Sequence, residues 1–415
     1  MSPGPVIPGP VRPEPLSMGA PDGAALDSAQ GGFGLYVHVP FCRDRCDYCG
    51  YAVAVGQDHL AARFVAGVRA ELDRLARAGL EPPAPPVDPG EVAERLAGGA
   101  STVYLGGGTP SRLPPALLRS LLAALPRRPG AEVTLEANPE DVTPKALEAW
   151  LAAGVNRVSL GVQALAAPVL AGLGRRQAPE AGLRAARLLG GAGLARFGVD
   201  LVVGSPAETE EDLRRALEAL LALPKPPGQV SCYLLTVEPR TALARDPARW
   251  PEEEQLAARY ELVDELLGDA GYRWVEISSW ARPGGACEHN QATWAGGDYL
   301  GLGPSAASHL QGRRWWHERS LRRWLQAVET GRPALAGGEV LTPEQRRLER
   351  LALALRTPRG VPRAALAEAL AGRPELAGLV EAAGDRLVLT RRGRLLADAL
   401  AVHLDPTARP VSSPG

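Results

Sequence analysis

The chain is poor in cysteine, lysine and long apolar runs, and these shortages narrow the classes of protein it can belong to. Five cysteines among 415 residues are too few, and odd in number, for a disulfide framework. Lysine and arginine total 46 against 47 aspartate and glutamate, so no basic surplus indicates nucleic-acid binding. No apolar run reaches the roughly 18 residues that a membrane-spanning helix needs. Only two of the positive residues are lysines, Lys145 and Lys225, which we interpret as compositional bias.

The two ends of the chain lack the pattern of a folded segment. Residues 1–32 are rich in proline and glycine and contain no continuous apolar stretch, so they predict a disordered tail rather than a signal peptide. Both methionines, Met1 and Met18, lie in this tail, and a start at either would lose no folded element. Residues 405–415 are predicted to be a disordered end.

Three of the five cysteines lie within eight residues. Cys42, Cys46 and Cys49 directly follow the strand-like run Leu35–Phe41. A four-iron cluster normally takes four cysteine ligands, so three thiolates on one loop would leave one iron with an open position. The spacing therefore predicts an iron–sulfur centre with a reactive corner.

Two other interpretations of this triplet remain open from the residues alone. A structural zinc site needs four protein ligands, and the fourth would have to be His38, Cys232 or Cys287. Three buried apolar cysteines are the other alternative, which the charged residues flanking them, Arg43 and Asp44 among others, disfavour.

The extended motif Tyr36-x-His38-x-Pro40-Phe41-Cys42-x3-Cys46-x-Tyr48-Cys49 resembles the signature of radical S-adenosylmethionine (SAM) proteins. Its form resembles the branch that contains oxygen-independent coproporphyrinogen III dehydrogenase and the heme chaperone HemW. The resemblance implies that Cys42, Cys46 and Cys49 bind a 4Fe-4S cluster. It also implies that SAM chelates the fourth iron and is cleaved to a 5′-deoxyadenosyl radical, and that Tyr36 and Tyr48 belong to the cofactor site.

Strand-like runs alternate with amphipathic helical segments through the middle of the chain, which predicts βαβ units and a parallel sheet. The predicted strands after the cysteine loop are Thr102–Leu105, Glu132–Ala137, Arg157–Val162, Gly198–Val203, Val230–Leu235 and Tyr272–Ile277. Helix starts are indicated by Thr143 with Pro144, and by Thr209 with Asp212. Six or seven such units suit an α/β fold, a partial (β/α)6 TIM-like barrel over residues 33–310.

Polar motifs follow these strands at the carboxyl ends, where open and closed parallel folds bind ligands. The glycine run Gly106–Gly108 with Thr109 and Pro110 resembles the SAM-binding GGGTP motif of the same family. The resemblance adds further SAM contacts, and the whole predicted set of SAM-contacting residues is Gly107, Gly108, Thr109, Glu136, Gln163, Arg175 and Asp200. Without the resemblance, each of these is equally a turn, a strand cap or a salt-bridge partner.

The pattern changes after residue 310. Residues 311–340 are predicted to connect the barrel to a small C-terminal helical domain over residues 341–404, which resembles the winged-helix-like tail of the same family. Within this domain the sequence predicts helices over Glu344–Arg356, Arg363–Ala371 and Gly393–His403 and a short strand over Arg386–Thr390. Arg391, Arg392 and Arg394 suggest a basic wing, but the neutral net charge favours a solvated helix start.

This chain departs from the dehydrogenase pattern in two ways, and both departures favour the chaperone pattern. Tyr51 stands where the dehydrogenase has a further cysteine, and only a Pro/Gly tail precedes Tyr36. Cys287-Glu-His289-Asn290-x3-Trp294 resembles the heme-binding HNxxYW motif of the chaperone. Histidine and thiolate both ligate heme iron, so His289 is the predicted ligand and Cys287 a lesser one. A histidine hydrogen-bonded at a loop corner is the alternative.

The resemblance covers residues 35–308 with some substitutions, for example Thr293 for tyrosine, Gln177 for histidine and Ala307 where His309 lies two positions on. It implies a heme chaperone that binds a 4Fe-4S cluster, SAM and heme, with a heme-acceptor protein and a reductant such as a flavodoxin or ferredoxin as partners. Reduced thiols and a cluster predict a cytoplasmic protein. The alternative is an enzyme that oxidatively decarboxylates coproporphyrinogen III.

Overall fold

The computed structural model describes residues 32–80 and 84–405. The predicted disordered tail and end, including Met1 and Met18, therefore lie outside the described residues, apart from residues 32 and 405. The strands are β1 Phe33–Val39, β2 Phe41–Cys42, β3 Ala54–Val55, β4 Ala100–Gly107, β5 Arg127–Ala137, β6 Arg157–Gln163, β7 Arg196–Val203, β8 Gln229–Leu234, β9 Arg273–Glu276, β10 Ser279–Ala281, β11 Asp298–Leu302, β12 Ala307–Leu310, β13 Arg313–His317, β14 Leu335–Val340, β15 Val361–Pro362, β16 Val380–Ala383 and β17 Arg386–Leu389.

Helices connect and cover these strands. The α-helices are Ala61–Ala78, Pro89–Ala97, Pro115–Ala124, Pro144–Ala152, Ala167–Gly172, Pro179–Gly191, Glu210–Leu221, Glu253–Asp269, Glu288–Trp294, Leu321–Glu329, Pro343–Leu355, Ala367–Gly372, Arg391–Leu395 and Ala397–Ala401. Short 3-10 helices are Asp58–Leu60, Pro110–Arg112, Pro139–Asp141, Leu243–Arg245, Pro247–Arg249, Arg363–Leu366 and Pro374–Leu379. In the described part of the chain, no helix combines the length and the apolar character needed to cross a membrane.

The central feature is a row of six parallel strands, β1, β4, β5, β6, β7 and β8, which lie side by side in chain order. The row does not close, because β11 pairs with the outer side of β1 and β10 pairs with the outer side of β8. This order confirms the predicted partial (β/α)6 arrangement.

Successive side chains along a strand point to opposite faces, and here the two faces differ in chemistry. On β4 to β7 one face carries Tyr104, Glu136, Ser159 and Asp200, which line one cavity. The alternate residues on the same strands are aliphatic and lie in the main hydrophobic core with the covering helices. The inside of the partial barrel is therefore polar, and its outside is the core.

Two predicted helix starts are confirmed in atomic detail. The Thr143 hydroxyl accepts a hydrogen bond from the Ala146 amide, with Pro144 in the first turn. Thr209 and Asp212 form a reciprocal capping box. Both caps satisfy amide groups that the start of a helix leaves without an intrahelical partner.

The outer elements differ from the sequence prediction in three places. The last predicted strand, Tyr272–Ile277, is the edge strand β9, which runs in the same direction as the parallel row but is separated from β8 by the antiparallel strand β10. Residues 311–340 are more than a connection, because β13 and β14 extend the main sheet. The predicted last helix, Gly393–His403, is two short helices, Arg391–Leu395 and Ala397–Ala401.

The C-terminal residues contain a small sheet in the order β15, β17, β16, packed with short helices. The helix Pro343–Leu355 and the strand β17 agree with the sequence prediction. β15 and β16 were not predicted, because they are short and gain their pairing only from β17. A three-stranded sheet with helices is consistent with the winged-helix-like prediction.

Candidate functional site

The cysteine loop starts at the carboxyl end of β1. Cys42 ends β2, which pairs with β3, so the loop between them is closed at its base. The Cys49 amide donates to the Cys46 carbonyl (3.2 Å), which makes a tight turn. The Asp47 amide donates to the Leu173 carbonyl (3.2 Å), which fixes the loop to the opposite wall. All three cysteines are free and half-buried, and they line the same cavity.

The three thiols do not share one electrostatic environment. Burial raises the pKa of Cys42 to about 11, although a contact with the Thr109 hydroxyl (3.5 Å) opposes the rise. Burial also raises the pKa of Cys49. The Arg175 guanidinium donates to the Cys46 sulfur (3.3 Å). Metal binding at these sulfurs would therefore displace protons from Cys42 and Cys49.

Within residues 32–80 and 84–405, no group of three or more His, Cys, Asp or Glu side chains converges on a position for a single metal ion. A tetrahedral zinc site requires such convergence. A cubane does not require it, because each thiolate binds a different iron. The triplet, with no fourth ligand beside it, thus fits an unsaturated 4Fe-4S cluster better than zinc.

The glycine run packs directly on the cysteine loop. The Gly108 amide donates to the Val39 carbonyl (2.8 Å) and the Thr109 amide to the Phe41 carbonyl (2.7 Å). A Cβ on Gly108 would lie 2.7 Å from the Pro40 carbonyl carbon. Gly107 has a φ of 107°, which side chains rarely adopt, and a Cβ there would meet the His38 ring at 2.5 Å. Glycine is therefore required at both positions for the run to pack against the cysteine loop.

Two carboxylates lie inside the cavity. Glu136 accepts hydrogen bonds from the Tyr104 hydroxyl (2.9 Å) and the Gly107 amide (3.0 Å). Asp200 accepts from the Ser159 hydroxyl (2.9 Å). Burial, with repulsion from Asp200, raises the pKa of Glu136 to about 7, and burial also raises the pKa of Asp200. An arrangement of this kind favours a ligand that is cationic or rich in hydrogen-bond donors.

Arg175 is a cation that lines the same cavity as these carboxylates. Besides Cys46, it donates to the Asn138 side-chain oxygen (3.0 Å), the Gly161 carbonyl (3.1 Å) and the Gln177 side-chain oxygen (3.1 Å). Gln177, which replaces the family's histidine, in turn donates to the Val162 carbonyl (2.7 Å). The guanidinium is thus held rigidly beside the cysteine loop, where a ligand carboxylate could reach it.

Gln163 has a backbone conformation that non-glycine residues seldom adopt. Its φ is 65°, and its side-chain nitrogen would lie 2.7 Å from a Cβ on Gly161. Strained residues at the end of a strand persist where the surrounding structure holds them, and they cluster at ligand sites. Gln163 lines the cavity, in agreement with a binding role.

The cavity has a volume of about 650 Å³ and opens at the carboxyl ends of the parallel strands. Eleven of the thirteen predicted site residues line it: Cys42, Cys46, Tyr48, Cys49, Gly107, Gly108, Thr109, Glu136, Gln163, Arg175 and Asp200. The donor set suits SAM. Carboxylates suit its amine, sulfonium and ribose hydroxyls, and Arg175 suits its carboxylate. The residues present therefore fit both a cluster and SAM.

The remaining two predicted residues, Tyr36 and His289, are not among the residues that line the cavity. The Tyr36 hydroxyl lies 3.2 Å from His38 Nδ1, and its ring stacks on Tyr104, below the cavity. His289 lies at the amino ends of the strands, 8% exposed, with Nδ1 2.8 Å from the Thr102 hydroxyl. Burial lowers the pKa of His289 to about 4, so its ring is neutral at pH 7.

Sequence reasoning missed several residues of the site. Asn138 connects Thr109 to Arg175, Tyr104 orients Glu136, and Ser159 holds Asp200. Each lies two residues along the strand from another residue of the polar face, or faces one on the neighbouring strand. The two-residue period of the predicted strands was the signal that would have found them.

Comparison with known proteins agrees with this geometry. The sequence profile of the Radical SAM superfamily matches residues 36–220. The chain is 40% identical over 382 residues to the heme chaperone HemW of Mycobacterium tuberculosis, covering 89% of this chain and 93% of that protein. It is 36% identical to HemW of Escherichia coli over 281 residues, covering 66% and 68% of the two chains.

A solved structure has the same fold. The structure of coproporphyrinogen III oxidase (HemN) from Escherichia coli, a radical SAM enzyme, superposes with a TM-score of 0.74. The match covers 92% of each chain at 23% sequence identity. At this identity the likeness establishes the fold and leaves the activity to be argued from the site.

Proposed function

Because the chain belongs to the radical SAM superfamily and, within it, to the family of the heme chaperone HemW, we propose that it binds heme and transfers it to an acceptor protein. The observation that carries this proposal is the 40% identity to a HemW over 93% of that protein's length. Tyr51, where the dehydrogenase pattern has a further cysteine, supports it.

We propose that Cys42, Cys46 and Cys49 hold a 4Fe-4S cluster and that SAM binds beside it in the 650 Å³ cavity. When bound, the cluster supplies electrons to SAM in this superfamily. Thr109 and Asn138 fix the wall between the cysteine loop and Arg175. The Gly106–Gly108 run, Glu136 and Asp200 then offer acceptors to the amine and ribose groups, and Tyr48 closes the side of the pocket against the apolar residues around Leu170.

The charges in the deep part of the cavity suit SAM better than they suit coproporphyrinogen III. That molecule carries four propionates, and the cavity already contains the buried carboxylates Glu136 and Asp200. Arg175 lies deep in the lining and can take one ligand carboxylate, such as that of SAM. The other arginines of the lining are exposed or paired at the surface: Arg43, Arg112 and Arg176. Additional carboxylates would raise the energy of this site, whereas the cation SAM lowers it.

We propose that heme binds at the opposite end of the strands, near His289, the ligand that the sequence predicts. A neutral imidazole is the form that ligates iron, and the lowered pKa of His289 supplies it at pH 7. The nearby Cys287 thiol is a poorer ligand, because burial raises its pKa to about 12. A heme-acceptor protein and a one-electron donor such as a flavodoxin or ferredoxin complete the proposal, in a reducing cytoplasm.

The test compares the two candidate functions in one preparation. The protein is reconstituted anaerobically with iron and sulfide, reduced, and given SAM with either heme or coproporphyrinogen III. We expect a saturable shift of the heme Soret band on titration and no protoporphyrinogen. Formation of protoporphyrinogen would instead establish the dehydrogenase, and a Soret band unchanged from that of free heme would exclude the chaperone. A Cys42→Ala variant serves as the control without an intact cluster site.

A further inference from the structure

The segment that carries the proposed heme ligand is sealed into the polar interior of the partial barrel. Helix Glu288–Trp294 lies across the amino ends of the strands, and His289 on its first turn points inward. A Cβ on Gly34 would lie 3.1 Å from His289 Cε1, and the Tyr104 ring centroid is 5.2 Å from that of His289. No porphyrin can reach this imidazole while the helix keeps its place, since a planar macrocycle needs open space on the ligand side.

One carboxylate holds the start of this helix. Glu132, on β5, accepts hydrogen bonds from the amides of Glu288 (3.1 Å) and His289 (3.1 Å). The Cys287 sulfur also lies 3.3 Å from Glu132 Oε1. Three further side-chain contacts tie the first residues of this segment to the strands. The Cys287 amide donates to the Gln229 side-chain oxygen (2.8 Å), the Thr102 hydroxyl contacts the His289 ring, and Arg196 pairs with Glu288.

Glu132 itself is fully buried, and its charge is balanced from beneath the helix. Arg157 lies 3.8 Å away with 1% of its side chain exposed, and Arg196 lies 3.5 Å away. Arg196 also pairs with Glu288 at the surface (2.7 Å). These cations stay with the strands when the helix moves, so Glu132 keeps its counter-charges in either position. Release of the helix therefore leaves Glu132 with its counter-charges and separates only the surface pair of Arg196 with the half-exposed Glu288.

We propose that residues 287–294 form a detachable plug, latched by Glu132, and that heme binds His289 only in the detached state. The inference rests on the proposed function, because it concerns the route by which heme reaches its ligand. Closure of the plug competes with heme binding. The apparent heme affinity equals the affinity of the open state multiplied by the fraction of molecules that are open. A protein that must hand heme onward gains from this competition, since re-docking of His289 on Thr102 favours release.

The latch is tested first without heme, by peptide-resolved alkylation of Cys287 and amide exchange of residues 287–294 in the cluster-loaded protein. Cys287 is 1% exposed, so its modification reports opening. Glu132→Gln places an amide N–H against the helix amides, and we expect opening to rise by at least about ten-fold. Thr102→Val removes only the contact to the His289 ring, and we expect opening to rise by about five-fold. Glu211→Gln, in an exposed pair with Arg215, is the matched control and leaves the rates unchanged.

Heme titration then connects opening to binding. We expect the apparent heme affinity to rise in the order wild type, Thr102→Val, Glu132→Gln. We also expect heme to speed amide exchange of residues 287–294 in the wild type and to have no such effect in a His289→Ala variant. If folded Thr102→Val protects Cys287 as well as the wild type does, or if heme binds while the segment stays protected, the plug is refuted and heme binding stands. If neither the wild type nor any variant shifts the Soret band from that of free heme, the proposed function itself fails, whatever the exchange rates show.

Discussion

At the scale of single residues, the pKa of Glu136 leads to a direct prediction for the pH dependence of SAM binding, because it lies in the range that ordinary buffers cover. Burial raises this pKa to about 7, and only the ionised form attracts the positive groups of SAM. The ionised fraction rises from about one tenth at pH 6 to about nine tenths at pH 8. We therefore expect SAM affinity, measured by calorimetry on the cluster-loaded protein, to increase by about ten-fold over this interval, with release of a proton.

The matched variant is Glu136→Gln, which keeps the hydrogen-bond acceptor for Tyr104 and removes the titration. Its SAM affinity should be lower at pH 8 and nearly independent of pH. In the protein without SAM, ionisation of Glu136 has the opposite effect, because it lowers the stability of the fold. A carboxyl group with a raised folded pKa contributes stability below about pH 4.5 that is lost as pH rises through about 7, so the glutamine variant should unfold at a higher temperature at pH 8. An unchanged pH profile would remove Glu136 from the SAM site.

The residue scale also shows what the sequence could and could not predict. The cysteine triplet and the glycine run were predictable, because their chemistry depends on short spacing along the chain. The burial of His289 was not, because it depends on Thr102 and Gly34, which are far away in sequence and meet it only through the sheet. The same holds for Tyr104, whose bond to Glu136 requires β4 and β5 to be neighbours.

At the scale of elements, the contact between the glycine run and the cysteine loop predicts a strong effect of one methyl group. A Cβ on Gly108 would lie 2.7 Å from the Pro40 carbonyl carbon and 2.8 Å from the Phe41 carbonyl oxygen, both rigid backbone atoms. Gly108→Ala must therefore push the base of the cysteine loop outward. We expect a loss of about 1–3 kcal/mol in stability and a reduced iron content after reconstitution, measured by thermal unfolding and by absorbance of the cluster.

Gly268 provides the control for this variant. It lies in the helix Glu253–Asp269, and an added Cβ there has no neighbour within 4 Å. Gly268→Ala should leave iron content unchanged and stabilise the helix by about 0.5–1 kcal/mol. Equal iron content in Gly108→Ala and Gly268→Ala would mean that the glycine run does not shape the cysteine loop.

The order of the parallel strands followed from the sequence, whereas the edges of the sheet did not. Each βα unit has its own amphipathic helix and its own aliphatic strand, so local pattern was sufficient for β4 to β8. The direction of β9 is set by the short strand β10, which turns back between β8 and β9. β12 and β13 are joined by a tight turn, whereas the helix Leu321–Glu329 lies between β13 and β14, so no regular alternation of strands and helices marks these residues as part of the sheet.

At the scale of the whole molecule, one carboxylate ties the C-terminal residues to the barrel. Asp264, on the helix Glu253–Asp269, accepts hydrogen bonds from the Trp280 indole (2.7 Å), Arg394 (2.7 Å) and Arg391 (2.5 Å). The Arg394 guanidinium also lies 4.1 Å from the ring centroid of Trp274. Burial opposes ionisation of Asp264, but the Trp280 and arginine contacts outweigh it and lower its pKa.

Asp264→Asn should therefore loosen the C-terminal residues without disturbing the cluster site. A carboxylate with a lowered pKa contributes stability at neutral pH, and that contribution is lost as pH falls through the folded pKa, so wild type and variant should converge in acid. At pH 7 we expect a loss of about 1–3 kcal/mol and faster amide exchange over residues 380–404. Asp398→Asn, whose side chain is 92% exposed beside Arg356, is the control and should change neither. If Asp264→Asn lowers iron content as much as it speeds exchange, the C-terminal residues support the cluster directly, and the two parts of the molecule cannot be treated as separable.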